Sequence, residues 1–109
     1  MTNIWAYKDA DRVEITTVDG VKYQGSYPDI EDEEDSGYGE ACISITTEEG
    51  RVDFPKSEIA AIVVLEREEM DTDSCAAGMR AYGCSEDLIA ETLAVYRDAV
   101  RRGVVRPKA

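Results

Sequence analysis

The dipeptide Asp19-Gly20 lies between two runs in which apolar and polar residues alternate, and no other stretch limits the possible folds as strongly. On one side Val13, Ile15 and Thr17 alternate with Arg12, Glu14 and Thr16, the period of a half-buried strand. On the other side Val21, Tyr23 and Gly25 continue the alternation. Asp-Gly accepts the positive φ angles of a type I′ turn, so the two runs are expected to fold back on each other as a tight antiparallel hairpin. Gly25 marks a place for a strong bend or a bulge. Pro28 cannot donate to a ladder and is expected to end the second strand.

Further short strands follow at similar spacing. ACISITT, residues 41–47, is β-branched and places Ile43 and Ile45 on one face. Glu48-Glu49-Gly50 reads as a turn, with Gly50 free to take a left-handed conformation. Val52 and Phe54 point inward on a fourth strand ended by Pro55, Lys56-Ser57-Glu58 forms one helical turn, and AIVVLE supplies an apolar fifth strand. Five strands in about 55 residues imply a small, strongly bent antiparallel barrel.

The pattern changes near residue 67. Ser74 is expected to cap a short helix carrying Cys75, Met79 and Tyr82 at helical spacing, with Gly83 as its stop. This stripe is read as core. Ser85 is expected to cap a longer helix with Glu86 and Asp87 in its first turn, where they favour the helix dipole. Ile89, Leu93, Tyr96 and Val100 form its apolar stripe, and Gly103 ends it. VVRPKA is read as extended or frayed, and Trp5 as a core anchor for the leading segment. The reading is therefore an α+β fold: a five-stranded antiparallel barrel over residues 1–66, with an acidic loop at 28–40, and a C-terminal helical hairpin over 67–109 packed on the barrel.

Charge narrows the function classes. The chain has 109 residues, 24 acidic against 12 basic, for a net charge of -12. Nucleic-acid binding is driven by Lys and Arg displacing counterions from phosphates, so direct DNA binding is not expected, and acidic membranes repel the chain likewise. Basic proteins are its natural partners. There is no histidine, which removes the commonest general base and zinc ligand. Ser and Asp occur, but nothing arranges them as a catalytic constellation, so no enzymatic activity and no cofactor are expected. Cys42, Cys75 and Cys84 are odd in number and irregularly spaced, no stretch approaches a membrane span, and the N-terminus lacks a signal-peptide pattern; a cytoplasmic protein with reduced thiols is expected.

Asp29, Glu31, Asp32, Glu33, Glu34 and Asp35 fall within seven residues, and no basic residue lies between Lys22 and Arg51. Three readings fit: a calcium loop, a solvated spacer, or a surface for a basic partner. In an EF-hand register started at Asp32, Glu34 and Ser36 take ligand positions and Gly37 the turn, but the twelfth position is Ile43 instead of a bidentate Glu. Like charges this close repel each other and resist a tight turn, which suggests that a cation from outside orders them. The partner-surface reading takes these six carboxylates together with Tyr27 and Tyr38, which flank the run and offer flat aromatic contacts.

The pieces VEITTVDGVKYQG, DEEDSGYGEACISITTEEGRVDF and SEIAAIVVLE together resemble an Sm-like (SH3-type) barrel, and most closely the small Sm-like proteins of bacterial phages and mobile elements. The resemblance covers residues from about 12 to 66 and implies a curved barrel, cytosolic location and ring assembly through edge strands; exposed edge strands by themselves lead to the expectation of a homo-oligomer, most simply a dimer. Where Sm proteins contact RNA, this chain carries Glu48-Glu49-Gly50 and Lys56-Ser57-Glu58. The expected function is thus a non-catalytic acidic protein-binding module, an inhibitor from a phage or mobile element that occupies the basic nucleic-acid-binding surface of a host defence enzyme. The alternative is an oligomeric Sm-like ring binding RNA or a small nucleotide.

Overall fold

The computed structural model describes residues 3–108. Its strands are β1 (Arg12–Thr17), β2 (Lys22–Glu31), β3 (Cys42–Thr47), β4 (Gly50–Pro55), β5 (Ile59–Glu68) and β6 (Val105–Arg106). Its helices are α1 (Thr72–Ala81) and α2 (Glu86–Arg102), and single 3-10 turns span Ile4–Tyr7 and Lys56–Glu58. The sheet order is β4-β3-β2-β1-β5-β6. The first five strands pair antiparallel, and β6 adds in parallel to the end of β5. The expected five-stranded antiparallel barrel is corrected to an open, mixed, six-stranded sheet: β4 and β5 do not pair, so nothing closes the ring.

The sheet is nevertheless curled, because chain length forces it. Three residues join β4 to β5, so their facing ends lie at most about 14 Å apart. In a flat sheet the four strand spacings between them would need about 19 Å. Curling brings inner-face side chains from non-adjacent strands together, and the rings of Tyr23 on β2 and Phe54 on β4 meet edge-on with centroids 5.1 Å apart. Gly25 permits this: a Cβ there would lie 2.7 Å from the Thr46 carbonyl oxygen and 2.9 Å from the Ile45 side chain. Ile4, Val13, Ile15, Ile43, Ile45 and Val64 fill the concave face and are all but inaccessible to solvent. Burying each contributes about 1.5–3 kcal/mol.

The Asp19-Gly20 hairpin forms, but Gly20 alone takes a positive φ, +86°, so the connection is not the expected type I′ turn. Thr17 N–H donates to the Val21 carbonyl, and the Thr17 hydroxyl donates to the Asp19 carboxylate, holding its pKa below the usual value.

Pro28 does not end β2. The register moves from Ser26↔Thr46 to Asp29↔Ser44, so one extra residue of β2 is absorbed in a bulge at Tyr27-Pro28. A bulge is where a missing N–H costs no ladder bond, and β2 continues to Glu31. The acidic loop expected at 28–40 therefore begins only at Asp32.

Helix α2 packs against the first 3-10 turn, whose Ile4, Ala6 and Tyr7 are buried, and against β5, and α1 packs against α2. Trp5, expected in the core, is only half-buried beside it. Helix α1 is capped by Asp71 and not by Ser74: one Asp71 carboxylate oxygen accepts from the Asp73 and Ser74 N–H groups. The stripe read there as core is largely solvent-facing, with Cys75 and Met79 half-buried and Tyr82 91 % exposed. Ser85 caps α2 and Gly103 ends it at φ +76°, as expected. Its buried face is Ile89, Thr92, Tyr96 and Ala99, with Leu93 half-buried and Val100 half exposed instead of buried. Arg67, buried at the end of β5, lies over the Tyr96 ring at 4.7 Å.

VVRPKA is extended: Val105 and Arg106 form β6, and the Lys108 N–H donates to the Glu69 carboxylate at 3.0 Å. Arg106 reaches Asp11 at 2.8 Å, Glu66 at 2.8 Å and Glu68 at 3.4 Å, which fastens β6 to the sheet. Ala109 lies outside the described residues.

Candidate functional site

The acidic run spans two kinds of backbone. Asp29, Ile30 and Glu31 are the last turns of the pleat in β2: Ile30 pairs with Ile43 and is half-buried, and the two flanking carboxylates are exposed. Asp32, Glu33, Glu34 and Asp35 form the turn that follows, all exposed. An Asp32 carboxylate oxygen accepts from the N–H groups of Glu34 at 3.1 Å and Asp35 at 3.0 Å, and Ser36 N–H donates to the Asp32 carbonyl at 3.0 Å. The Ser36 hydroxyl then donates to the Glu40 carbonyl at 2.6 Å, and the Glu40 carboxylate accepts from the N–H and hydroxyl of Ser57. These hydrogen bonds hold the turn within the chain itself. In water two unit charges 4 Å apart repel by only about 1 kcal/mol, too little to unmake this network.

The outer face of β2, β3 and β4 extends the run. Asp29 stands opposite Ser44, and Ser44 opposite Asp53. The Ser44 hydroxyl donates to one Asp53 oxygen at 2.5 Å, and the Tyr38 hydroxyl to the other at 3.3 Å. The Asp53 charge pushes the Tyr38 phenol above its ordinary pKa. Burial, and then the same aspartate, push the Cys42 thiol up. A protonated thiol and a protonated phenol beside a carboxylate are the reverse of an activated nucleophile.

Tyr27 stands apart from Tyr38 in its support. It has φ +54°, the single non-glycine residue with positive φ among the described residues, and it is 75 % exposed. A left-handed residue with a Cβ costs about 1–2 kcal/mol. The Tyr27 N–H donates to the Asp11 carbonyl at 3.0 Å, and Arg51 Nη1 donates to the Tyr27 carbonyl at 2.8 Å. Arg51 also donates to the Thr46 hydroxyl. The first cation after the acidic run is therefore spent on a carbonyl and a hydroxyl.

Asp29, Glu31, Asp32, Glu33, Glu34 and Asp35 make no ion pair among the described residues. The ion pairs among the described residues lie elsewhere: Glu14 with Lys22, Glu86 with Arg80, Asp98 with Arg101 and Arg102, and Asp11, Glu66 and Glu68 with Arg106. No group of three or more Cys, Asp or Glu placed to hold a metal ion occurs among the described residues. All three cysteines are free, with Cys42 buried and Cys75 and Cys84 half-buried. Among the described residues no helix is long and apolar enough to cross a membrane.

Ser44, Asp53, Glu40 and Arg51 escaped the sequence reading. Ser44 and Asp53 are outward positions on two strands joined by a two-residue turn, so the hairpin register was their signal. The Glu40–Ser57 and Arg51–Tyr27 contacts cross the sheet and left no local trace. No family model, curated protein or solved structure matches the chain.

Proposed function

We propose that this protein is a non-catalytic binding module whose acidic β2–β3 face receives a basic protein surface, in the manner of an inhibitor that occupies the phosphate-binding groove of a nucleic-acid enzyme. The observation that carries the reading is the concentration of six exposed carboxylates, Asp29 and Glu31 to Asp35, on one short stretch with no ion pair among the described residues. Lys and Arg of a partner would meet them through charge-assisted hydrogen bonds. The turn is hydrogen-bonded within the chain, so a partner would meet a formed surface and lose less to ordering entropy. Tyr27, held in a strained conformation with its ring in solvent, belongs to the same strand and supplies a rigid aromatic anchor. An origin in a phage or mobile element follows from the Sm-like resemblance, and a host defence enzyme as target belongs to the same proposal.

The test replaces Asp32, Glu33, Glu34 and Asp35 together by Ser. Wild-type protein immobilised in a bacterial lysate should retain a basic protein at low salt and release it at high salt. The variant should stay folded and lose that protein. Retention unchanged in the variant would remove the acidic run from the interface.

The alternative, an oligomeric Sm-like assembly binding RNA or a small nucleotide, keeps one observation in its favour. Among the described residues strand β4 pairs only with β3, and its outer edge could accept a neighbouring strand. Light scattering that gives a dimer or ring, with RNA retained on a filter, would favour it over the inhibitor reading.

A further inference from the structure

Three sulfur-bearing side chains gather on one wall of the molecule. Cys75, Met79 and Cys84 line a single open pocket between the first 3-10 turn, α1 and α2, away from the acidic run. Each is half-buried, so the sulfurs are neither sealed in the core nor loose in water. The remaining cysteine, Cys42, is buried on β3.

The backbone sets them in a row. Cys75 and Met79 are one helical turn apart on α1 and share a face. The Cys75 thiol donates to the Met79 thioether at 3.9 Å. Cys84 joins them through the way α1 ends. Gly83 takes φ +91°, its N–H donates to the Arg80 carbonyl at 3.0 Å, and the Cys84 N–H donates to the Met79 carbonyl at 3.0 Å. This pair of bonds is a Schellman ending, in which the side chain two places past the cap commonly packs on the residue whose carbonyl it bonds. Here those two residues are Cys84 and Met79, both in the lining. Gly78 is a weak helix former inside α1, and a Cβ there would meet nothing within 4 Å, so packing does not demand glycine. The bare backbone beside Met79 leaves an entry path to the sulfurs.

Donor type and number limit what such a row can hold. A structural zinc ion fills a tetrahedron, and an iron–sulfur cluster needs a quartet of cysteines. This chain has no histidine, and no third Cys, Asp or Glu joins the two thiols among the described residues. Two thiolates and a thioether are instead the soft set that selects Cu(I). With metal–sulfur bonds of about 2.3 Å, donors 3.9 Å apart subtend about 116° at a shared ion, the opening of a trigonal site. Met79 is unbranched and adaptable, so its sulfur can move to meet the ion. Two thiolates around one monovalent cation leave a surplus negative charge, and Lys8, the one charged residue in the lining, balances it.

We propose that Cys75, Met79 and Cys84 form a three-coordinate, all-sulfur site for a soft monovalent ion, Cu(I). Binding releases one proton from each thiol to solvent. No electron is transferred, since the ion arrives and stays as Cu(I).

Trp5 is the one tryptophan of the chain and lines the same pocket, so its emission reports occupancy. The test titrates the reduced full chain, in the absence of oxygen, with Cu(I) supplied from its bicinchoninate complex. One ion per chain should bind, quench Trp5 and raise a sulfur-to-copper absorption in the ultraviolet. Equimolar Zn(II) should not displace it. Cys75→Ser and Cys84→Ser should each weaken binding by more than the roughly 10–100-fold typical of losses outside the ligand set. Met79→Leu keeps the volume while removing the donor, and should weaken binding about tenfold. It decides the matter should either serine variant fail to fold. Cys42→Ala and the variant with Ser at 32–35 should bind as the wild type does. Full affinity in Met79→Leu or in either serine variant, one ion per two chains, a silent Trp5, or displacement by Zn(II) would overturn the proposal. So would loss of binding in the 32–35 variant alone, which would assign the ion to the acidic run.

Discussion

At Gly25 one hydrogen atom decides whether the sheet can curl. Any Cβ would enter the Thr46 carbonyl, which is backbone and cannot rotate away. Gly25→Ala should cost about 1–3 kcal/mol, as overpacking of a close contact does, and urea denaturation should show it as a lower midpoint with an unchanged slope. An unchanged midpoint would mean that β3 withdraws from β2 without loss. Two residues later Tyr27 shows the opposite economy: a side chain is tolerated at φ +54° because Asp11 and Arg51 hold both of its backbone groups. Gly25 was legible in the sequence as a bend, since glycine inside an alternating strand has few other reasons to be there. Tyr27 was legible as an aromatic beside the acids. Its strain was not, because it arises from partners 16 and 24 residues away.

Among the elements, α2 shows how far a periodic pattern carries. Its start, its end and half of its stripe agree with the reading from Ser85, Gly103, Ile89 and Tyr96. The other half turns by one residue: Ala99 is buried where Val100 was expected. Hydrophobicity favours valine over alanine, but it is Ala99 that joins the core cluster while Val100 is half exposed. Ile89→Ala should therefore cost about 2–5 kcal/mol. Val100→Ala should stay within about 0.5 kcal/mol, the usual range for a surface position. Thermal unfolding of the two variants side by side checks the assignment, and equal losses would contradict it. For α1 the periodicity of Cys75, Met79 and Tyr82 was read as core because a stripe at helical spacing usually is. A stripe shows that one face is apolar. It does not show that the same chain covers that face.

The whole molecule carries its charge unevenly. Ion pairs gather on the helices and around β6, with one more between Lys22 and Glu14 at the start of β2, while residues 29–35 have none among the described residues. A net charge of -12 on a body with a radius of gyration of 13.8 Å destabilises the compact state by self-repulsion. Raising salt from low to physiological strength shortens the screening length to about 8 Å, so the melting temperature should rise with salt. The variant with Ser at 32–35 should start higher and rise less. A salt response identical to that of the wild type would mean that the run is already neutralised within the fold. That radius is close to the roughly 13 Å of a compact chain of this length, as expected if the helices pack tightly on the sheet.

Most strand positions, the caps of α2 and the acidic run are local, and they could be read from residues within a few places of one another. The alternation around Asp19-Gly20 set the first hairpin, Ser85 and Gly103 bounded α2, and the gap between Lys22 and Arg51 marked the face without cations. Closure, cover and pairing depend on distance across the fold. Whether β4 meets β5 rests on how far the sheet curls over Gly25. Whether residues 105 and 106 fray or join β5 rests on Arg106 finding Asp11, Glu66 and Glu68. Whether Met79 and Tyr82 are core or open wall rests on what lies opposite α1. Local sequence sets backbone preference and which face is apolar, but burial is a property of two surfaces, and the second surface is known only once the chain has folded.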